Sequence, residues 1–280
     1  MNIGIVGLGL IGGCLGLDLK ALGYRVYGVA RRTETCAQAM SRQIVDHAST
    51  DLFDLQACQI VFICTPIATI VPTVEKLAGI LKPATVVTDV GSVKSAIVEA
   101  ATAHWPYFVG GHPMSGKSEA GLAAAAAGIF RLRPYVVTPL SITDEASADS
   151  VESIAQQLGS RLYRCAPEDH DRAVAWISHL PVIVSSSLIR AAMDEPDVEV
   201  LELAQQLASS GFRDTSRVGG GNPELGLMMA QYNRDEMLRS LKRYQGVIAQ
   251  TVAHLEQEDW SAIARSLEAT KAGRISFVED

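Results

Sequence analysis

Three short segments carry the residues best suited to contact a ligand or to take part in its chemistry. Each follows a predicted strand, and they read Thr65-Pro66-Ile67, Val90-Gly91-Ser92-Val93-Lys94-Ser95 and Gly111-His112-Pro113-Met114-Ser115-Gly116. His112 is the strongest candidate, because an imidazole titrates near neutral pH and suits taking a proton from an alcohol as hydride leaves the same carbon. Ser92 either caps the next helix or reaches a ligand. Thr65 and Pro66 either line a cofactor crevice or form a plain strand-to-helix turn.

The second half of the chain offers a histidine and two arginines. His179 lies in Trp176-Ile177-Ser178-His179-Leu180-Pro181, a mostly apolar segment in which a lone histidine is more often a core residue than a ligand. Residues 210–223 form a glycine-rich segment, predicted to be a loop, in which Arg213 and Arg217 suit bidentate capture of a carboxylate. An exposed ion pair of Arg213 with Asp214 is the alternative, and spacing does not decide between the two arginines. The remaining histidines are interpreted as surface or core residues: His47, His104, His170 and His254.

A glycine motif at the start of the chain is typical of dinucleotide binding. It reads Gly7-Leu8-Gly9-Leu10-Ile11-Gly12, directly after an apolar run and at the start of a predicted helix. Gly7 permits a tight turn, Gly9 lets the backbone approach a pyrophosphate, and Gly12 lets the helix pack close to the strand. The helix N-terminus adds free N–H groups and a partial positive charge. A structural glycine turn is the alternative, but the strand-to-helix context favours a nucleotide site.

The end of the second predicted strand indicates which cofactor would bind. NAD enzymes place an acidic residue here on the ribose hydroxyls, whereas this chain has Ala30 followed by Arg31, Arg32 and Thr33. Two guanidinium groups and a hydroxyl suit the 2′-phosphate of NADP. We therefore expect NADP, with two solvated surface arginines as the alternative.

The elements that position these residues form two predicted domains. Residues 1–165 alternate apolar strands with helical stretches, which predicts a Rossmann-type, mostly parallel α/β sheet. Residues 166–280 show only helical periodicity and predict an all-α domain. Seven strands are expected: 2–6, 25–29, 60–64, 85–89, 107–110, 135–138 and 161–165. Helices are expected over 120–127, 169–193, 198–209, 223–255 and 260–272.

Composition limits the function classes. The chain has 280 residues, 48% hydrophobic and 20% charged, and a net charge of −7 that argues against a nucleic-acid surface. No stretch reaches about 18 unbroken apolar residues, so no membrane span is expected. Five scattered cysteines without a CxxC pair fit reduced thiols in a cytoplasm better than disulfides or a metal site.

Five segments together resemble the prephenate and arogenate dehydrogenase family. In order they are the glycine motif at 7–12, 89–94, 111–116, Ser-His-Leu-Pro at 178–181 and Gly-Phe-Arg-Asp-Thr-Ser-Arg at 211–217. The resemblance implies a Rossmann domain, a helical dimerisation domain and an active site between them. It implies a small-molecule substrate and, together with the apolar content of the helices after Pro167, a homodimer. The net charge, the hydropathy and the cysteines predict a cytoplasmic protein without a nucleic-acid or membrane partner.

The resemblance also implies roles for individual residues. His112 would accept the proton of the ring hydroxyl, Ser92 would assist this contact, His179 would line the substrate pocket, and Arg217 would hold a substrate carboxylate. Hydride would leave the ring for the cofactor while CO2 departs and the ring becomes aromatic. Prephenate-using members commonly read Ser-His-Leu-Pro-His, whereas this chain has Val182 at the last position, which favours arogenate.

Three rival hypotheses remain open at this point. One is a prephenate dehydrogenase that forms 4-hydroxyphenylpyruvate. Another is an NADPH-dependent hydroxyacid or imine reductase of similar two-domain build. The third is a module without catalytic activity that binds NADP and signals to a partner.

Overall fold

The computed structural model describes residues 1–117 and 119–278. The chain divides into two compact units, Met1–Asn233 and Arg234–Asp280. The first unit contains a sheet of eight strands, ordered β3-β2-β1-β4-β5-β6-β7-β8. The strands are β1 Asn2–Val6, β2 Arg25–Val29, β3 His47–Ser49, β4 Ile60–Ile63, β5 Val86–Asp89, β6 Phe108–Pro113, β7 Pro134–Thr138 and β8 Arg161–Arg164.

The sheet has the strand order 3-2-1-4-5-6 of dinucleotide-binding folds over its first six strands. All neighbouring strands pair in parallel except β6 and β7, which are antiparallel. Successive residues of β4 face opposite sides of the sheet, so Phe62 belongs to one core cluster and Val61 and Ile63 to the other. This burial on both faces explains the continuous apolar run of the strand.

All seven predicted strands are confirmed, and β3 is an addition that the sequence analysis did not predict. β3 has only three residues, His47–Ser49, none of which is fully buried. It pairs with Tyr27, Gly28 and Val29 of β2. Because it is short and lacks an apolar run, it shows none of the periodicity on which strand prediction depends.

Helices cover both faces of the sheet in the first part of the chain: α1 Leu10–Ala21, α2 Thr33–Ser41, α3 Ile67–Ala78, α4 Ser95–His104 and α5 Glu145–Gln157. The helix predicted over 120–127 is wrong, since this stretch has only a short 3-10 turn, Leu122–Ala124. Gly121 and Gly128 flank it with positive φ angles. Arg42 donates to the carbonyls of Leu122 and Ala125, so a distant guanidinium takes the acceptors that a helix would use.

After Arg164 every element among the described residues is helical. The first unit contains α6 Pro167–Val174, α7 Leu180–Met193, α8 Val198–Leu207, α9 Ser210–Ser216 and α10 Pro223–Tyr232. A π-helical segment, Ala175–His179, joins α6 to α7 without a break. The second unit contains α11 Arg234–Glu256 and α12 Trp260–Arg274.

Two predicted boundaries in this half are wrong. Residues 210–216 form α9 instead of the predicted loop. The helix predicted over 223–255 is interrupted at Asn233, whose φ of −118° and ψ of 37° leave the helical range. Asn233 is buried, and its side chain bonds within the first unit, as described below.

One helical run, Pro167–Met193, is long and apolar enough by composition to cross a membrane. This is weak evidence, since core helices of other proteins pass the same test. The run carries His170, Asp171 and His179, whose side chains are buried among other polar groups.

Candidate active site

The glycine motif forms the turn between β1 and α1. Gly7 has a φ of +99°, which favours glycine, and its N–H donates to the Val29 carbonyl at 2.8 Å. No described atom lies within 4 Å of the Cβ that another residue would place at Gly9, so the surface of the turn is open. Gly9 also begins α1 without a side-chain cap, which leaves the helix N-terminus to a ligand. The turn therefore fits the pyrophosphate of a dinucleotide.

The residues predicted to surround this cofactor site follow β2 and β4, the two strands that flank β1 in the sheet. Arg31, Arg32 and Thr33 follow β2 and are exposed. Thr65 follows β4, the neighbour of β1, and a Cβ on Gly7 would lie 3.0 Å from Thr65 Cγ2. The hydroxyl of Thr65 is buried without a hydrogen-bond partner among the described residues. Pro66 follows it at the N-terminus of α3.

A buried ion pair connects the next two strand ends. Asp89, the last residue of β5, accepts a hydrogen bond from Lys94 Nζ, and both side chains are 0% exposed. Lys94 Nζ also donates to the Gly111 carbonyl of β6 at 2.8 Å. A Cβ on Gly111 would lie 2.7 Å from the Asp89 carbonyl oxygen, so glycine is required for this approach. The pair thus holds the carboxyl end of β5 against the strand that carries His112.

Ser92 lies between Asp89 and α4, and it does not cap that helix. Its hydroxyl is buried and makes no hydrogen bond among the described residues. The N-terminus of α4 is instead capped by the Asp171 carboxylate of α6, which accepts from Lys94 N at 2.7 Å and from Ser95 N at 2.8 Å. The capping alternative for Ser92 is therefore not observed.

His112 is part of a chain of hydrogen bonds from β6 to α6. It lies near the carboxyl end of β6, is 7% exposed, and its Nδ1 is 2.8 Å from His170 Nε2. His170 Nδ1 in turn is 2.8 Å from Asp171 Oδ1. His170 is buried, which agrees with the core alternative of the sequence analysis, and its ring also contacts the strongest acid–base candidate in the chain.

His179 is fully buried and bonded to Asn233. Asn233 Nδ2 donates to the Asp171 carbonyl at 2.8 Å and lies 3.1 Å from His179 Nδ1. A carbonyl oxygen only accepts, so the amide nitrogen is the donor and His179 Nδ1 is an acceptor. A neutral His179 then carries its proton on Nε2.

Burial keeps both histidines neutral. The pKa of His112 lies well below its usual value, chiefly because burial disfavours the charged ring, with further contributions from His170, Lys94 and His179. Burial likewise lowers the pKa of His179 to about 4, although Asp171 opposes the shift. Burial raises the pKa of Asp171 but hydrogen bonds from His170, Lys94 and Ser95 outweigh it, so its pKa is lowered and it remains a carboxylate. A neutral imidazole has a free lone pair, so His112 can accept a proton at a ring nitrogen.

The two arginine candidates lie in and after α9. Arg213 is exposed and forms an ion pair with Asp214, with Nε 3.2 Å from Oδ1. This is the exposed ion pair that the sequence analysis gave as the alternative to capture of a substrate carboxylate. Arg217 directly follows α9 and is exposed. The segment is held against α7, since Ser185 Oγ donates to the Thr215 carbonyl and accepts from Gly219 N.

Sequence reasoning gave no role to five residues around His112 and His179: Asp89, Lys94, His170, Asp171 and Asn233. All five are polar residues that tertiary contacts bury, and Asp89 and Lys94 lie in the segment 89–94. Only the adjacency of His170 and Asp171, at the start of the helix that also carries His179, was a signal that could have been used.

The carboxyl ends of adjacent strands therefore bring together the dinucleotide turn, the buried hydroxyls of Thr65 and Ser92, and the neutral His112. In an open α/β sheet ligands bind at this edge, outside the carboxyl ends of the strands. The fold and the site together define a nicotinamide-dependent dehydrogenase. The chain belongs to the prephenate dehydrogenase family: residues 15–164 match its nucleotide-binding domain and residues 166–269 its dimerization domain.

Individual relatives agree with this assignment. The chain is 29% identical to the prephenate dehydrogenase of Bacillus subtilis, and the match covers 95% of this chain and 73% of that protein. It is 23% identical to the cyclohexadienyl dehydrogenase of Zymomonas mobilis, over 100% of this chain and 97% of that one. Among solved structures, the arogenate dehydrogenase of Synechocystis is similar with a TM-score of 0.89, 49% identity, and coverage of 99% and 100%.

A fourth comparison concerns the fold alone. The prephenate dehydrogenase of A. aeolicus, solved in complex with hydroxyphenyl propionate and NAD+, superimposes with a TM-score of 0.93 at 24% identity. It covers 99% of this chain and 98% of that one.

Proposed function

We propose that this dehydrogenase catalyses the NADP-dependent oxidative decarboxylation of arogenate to tyrosine. The buried, neutral His112 at the carboxyl end of β6 carries the proposal, because the reaction needs a base for the ring hydroxyl proton. The similarity at 49% identity to a Synechocystis arogenate dehydrogenase supports the choice of substrate.

In the proposed reaction, His112 accepts the hydroxyl proton as hydride leaves ring C4 and the ring carboxylate departs as CO2. The proton then returns to the phenolate oxygen, which gives tyrosine. The nicotinamide, when bound, supplies the hydride acceptor. Ser92, whose buried hydroxyl has no partner among the described residues, donates or accepts a hydrogen bond at the same substrate hydroxyl. The protein mainly orients the ring and the base, since aromatisation supplies the driving force.

For the cofactor, the preference for NADP over NAD rests on the exposed Arg31, Arg32 and Thr33 at the end of β2. The guanidinium groups would pair with the 2′-phosphate, whereas the buried Ala30 supplies no carboxylate for the ribose hydroxyls of NAD. Gly7, Leu8, Gly9, Leu10, Ile11 and Gly12 would hold the pyrophosphate, and Thr65 with Pro66 would line the nicotinamide side.

For the substrate, Arg217 is the proposed partner of a carboxylate, ahead of Arg213, which has an ion-pair partner in Asp214. His179, whose ring also meets the Ser92 backbone, would line the substrate pocket. Val182, one turn further along α7, leaves the pocket without the second histidine of prephenate-using members.

The experiment is a steady-state assay of the purified protein with arogenate and prephenate, each with NADP and NAD. We expect NADPH and tyrosine from arogenate with NADP, at the highest kcat/KM of the four combinations. A higher kcat/KM with prephenate would make the protein a prephenate dehydrogenase. Absence of turnover with both ring substrates would favour a hydroxyacid or imine reductase, and absence of any oxidoreductase activity a non-catalytic NADP-binding module.

The Val182→His variant tests the substrate preference directly. We expect it to raise kcat/KM for prephenate relative to arogenate by about 5- to 150-fold, the range that one added contact of 1 to 3 kcal/mol provides. Val182→Leu, which changes size without adding a donor, serves as the matched control. An unchanged ratio would remove position 182 from substrate selection.

The remaining parts of the proposal concern assembly and location. We infer a cytoplasmic homodimer with a small-molecule substrate, a nucleotide-binding domain at 1–165 and a helical domain at 166–280. The two matched family domains, which adjoin at residues 164 and 166, support this boundary. Several apolar side chains on α11 and α12 are exposed and support the proposal of an interface between two copies of the chain, among them Val247, Ile248, Leu255 and Leu267. Light scattering that gave a monomer would contradict the dimer.

A further inference from the structure

The hydrogen bonds around His170 determine which nitrogen of His112 carries the proton. The Asp171 carboxylate only accepts, so His170 Nδ1 donates to Asp171 Oδ1 across 2.8 Å. A neutral His170 therefore has its lone pair on Nε2, 2.8 Å from His112 Nδ1. His112 Nδ1 then donates to it, and the lone pair of His112 is left on Nε2.

We propose that His170 and Asp171 are positioning residues that hold His112 in the Nδ1-protonated tautomer, with Nε2 ready to accept the substrate proton. The inference rests on the proposed function, in which His112 is the base. Without a partner, a neutral imidazole distributes its proton over both nitrogens, and the form with the proton on Nε2 cannot accept one there.

The geometry around Asp171 indicates a rigid support. Its two carboxylate oxygens also accept from the N–H groups of Lys94 and Ser95, which fixes the carboxylate at the start of α4. Its carbonyl accepts from Asn233. The Asp171 side chain is 4% exposed and that of His170 1%, so water does not compete for these bonds.

The same hydrogen bonds indicate where the positive charge goes after His112 has accepted the substrate proton. When the substrate O–H bond breaks and an N–H bond forms at His112 Nε2, the ring becomes an imidazolium. Its Nδ1 proton can then pass to His170 Nε2, which moves the positive charge next to the Asp171 carboxylate. The gain is proximity to this carboxylate, since both rings have basic neighbours: His112 faces Lys94 and His179, and His170 faces His179. The Lys94 charge is itself compensated by Asp89.

Long-range 15N–1H NMR of protein with 15N-labelled histidine rings tests the tautomer without reference to activity. We expect His112, assigned by its absence in His112→Asn, to show a protonated Nδ1 and an unprotonated Nε2 at pH 7.5. In His170→Leu the proton should redistribute to Nε2. A wild-type His112 that carries its proton on Nε2 would overturn the inference, whether or not the variant folds.

Kinetics distinguish a positioning role from a structural one. We expect His170→Leu to lower kcat about 10²-fold with KM little changed, because much of the rate contribution of the general base is lost. His170→Gln, whose amide oxygen can accept from His112 Nδ1, should restore part of kcat, and His104→Leu on the exposed end of α4 is the matched control. Equal loss in both His170 variants with intact folding would overturn the inference. Absence of turnover in wild type, with the predicted tautomer present, would instead refute the proposed function.

Discussion

Lys94 Nζ donates to the Asp89 carboxylate in the interior of the first unit, and neither side chain has any exposed surface. Burial lowers the pKa of Lys94, and the charge of Asp89 opposes this shift. The two charges therefore depend on each other, because an ammonium without its carboxylate would face the full cost of desolvation.

Asp89→Asn should therefore destabilise the protein by about 3 to 5 kcal/mol, the cost of breaking a buried ion pair by removal of one partner. Urea unfolding followed by circular dichroism measures the change. Asp214→Asn is the control, since it breaks an exposed pair with Arg213 and should cost less than about 1 kcal/mol. Similar losses in the two variants would show that the buried pair contributes no more than a surface one.

His112→Asn should lower kcat by about 10²- to 10⁴-fold, the usual contribution of a general base. The Kd for NADP, measured by fluorescence titration, should stay within about twofold, because the dinucleotide turn follows a different strand. His104→Asn is the control for a histidine substitution on the same unit. Turnover close to that of wild type would remove His112 from the proposed reaction.

Arg31→Ala combined with Arg32→Ala should raise KM for NADP by about 10- to 100-fold and change KM for NAD much less. The reason is that a charge-assisted hydrogen bond contributes about 1.5 to 3 kcal/mol, so the loss of one such bond to the 2′-phosphate already gives a change of about this size. Steady-state kinetics with both cofactors provide the measurement, and Arg25→Ala at the opposite end of β2 is the matched control. An equal change for both cofactors would show that the arginines do not recognise the phosphate.

The free energy of unfolding should fall as the pH is lowered from 6.5 towards 4. The pKa of His179 is about 4 in the folded protein, below its usual 6.5, so in this range the unfolded chain binds a proton that the folded protein excludes. Each pH unit then costs up to about 1.4 kcal/mol for this residue, and His112 shifts in the same direction. Urea midpoints at pH 7, 6 and 5 measure the slope.

The His179→Gln variant identifies the group responsible. It keeps an amide oxygen or nitrogen for Asn233 but does not titrate, so its stability should depend less steeply on pH than that of wild type. His47→Gln is the control, since His47 is exposed. Identical slopes in wild type and His179→Gln would contradict the role of His179 in acid sensitivity.

How far the sequence predicts this molecule depends on whether local or distant contacts decide the structure. The seven longer strands and the dinucleotide turn follow from apolar runs and glycine spacing, which are local. The alanine-rich stretch near Ala124 fails as a helix because Arg42, far away in sequence, binds its carbonyls. The contact of His170 was missed for a similar reason, since only the packing of α6 against α4 and β7 brings its ring to His112.

The π-helical segment Ala175–His179 determines which way His179 points. Asp171 and His179 are eight positions apart, and at about 100° per residue an uninterrupted α-helix would place them about 80° apart around its axis. The wider π turn absorbs roughly one residue and brings both positions to one side, where Asn233 bonds to the Asp171 backbone carbonyl and to the His179 ring. Pro181, which lacks an N–H and crowds the carbonyl four residues before it, favours this widening. Deletion of a single residue from this segment would turn the His179 ring away from Asn233 and would rotate all of α7 about its axis.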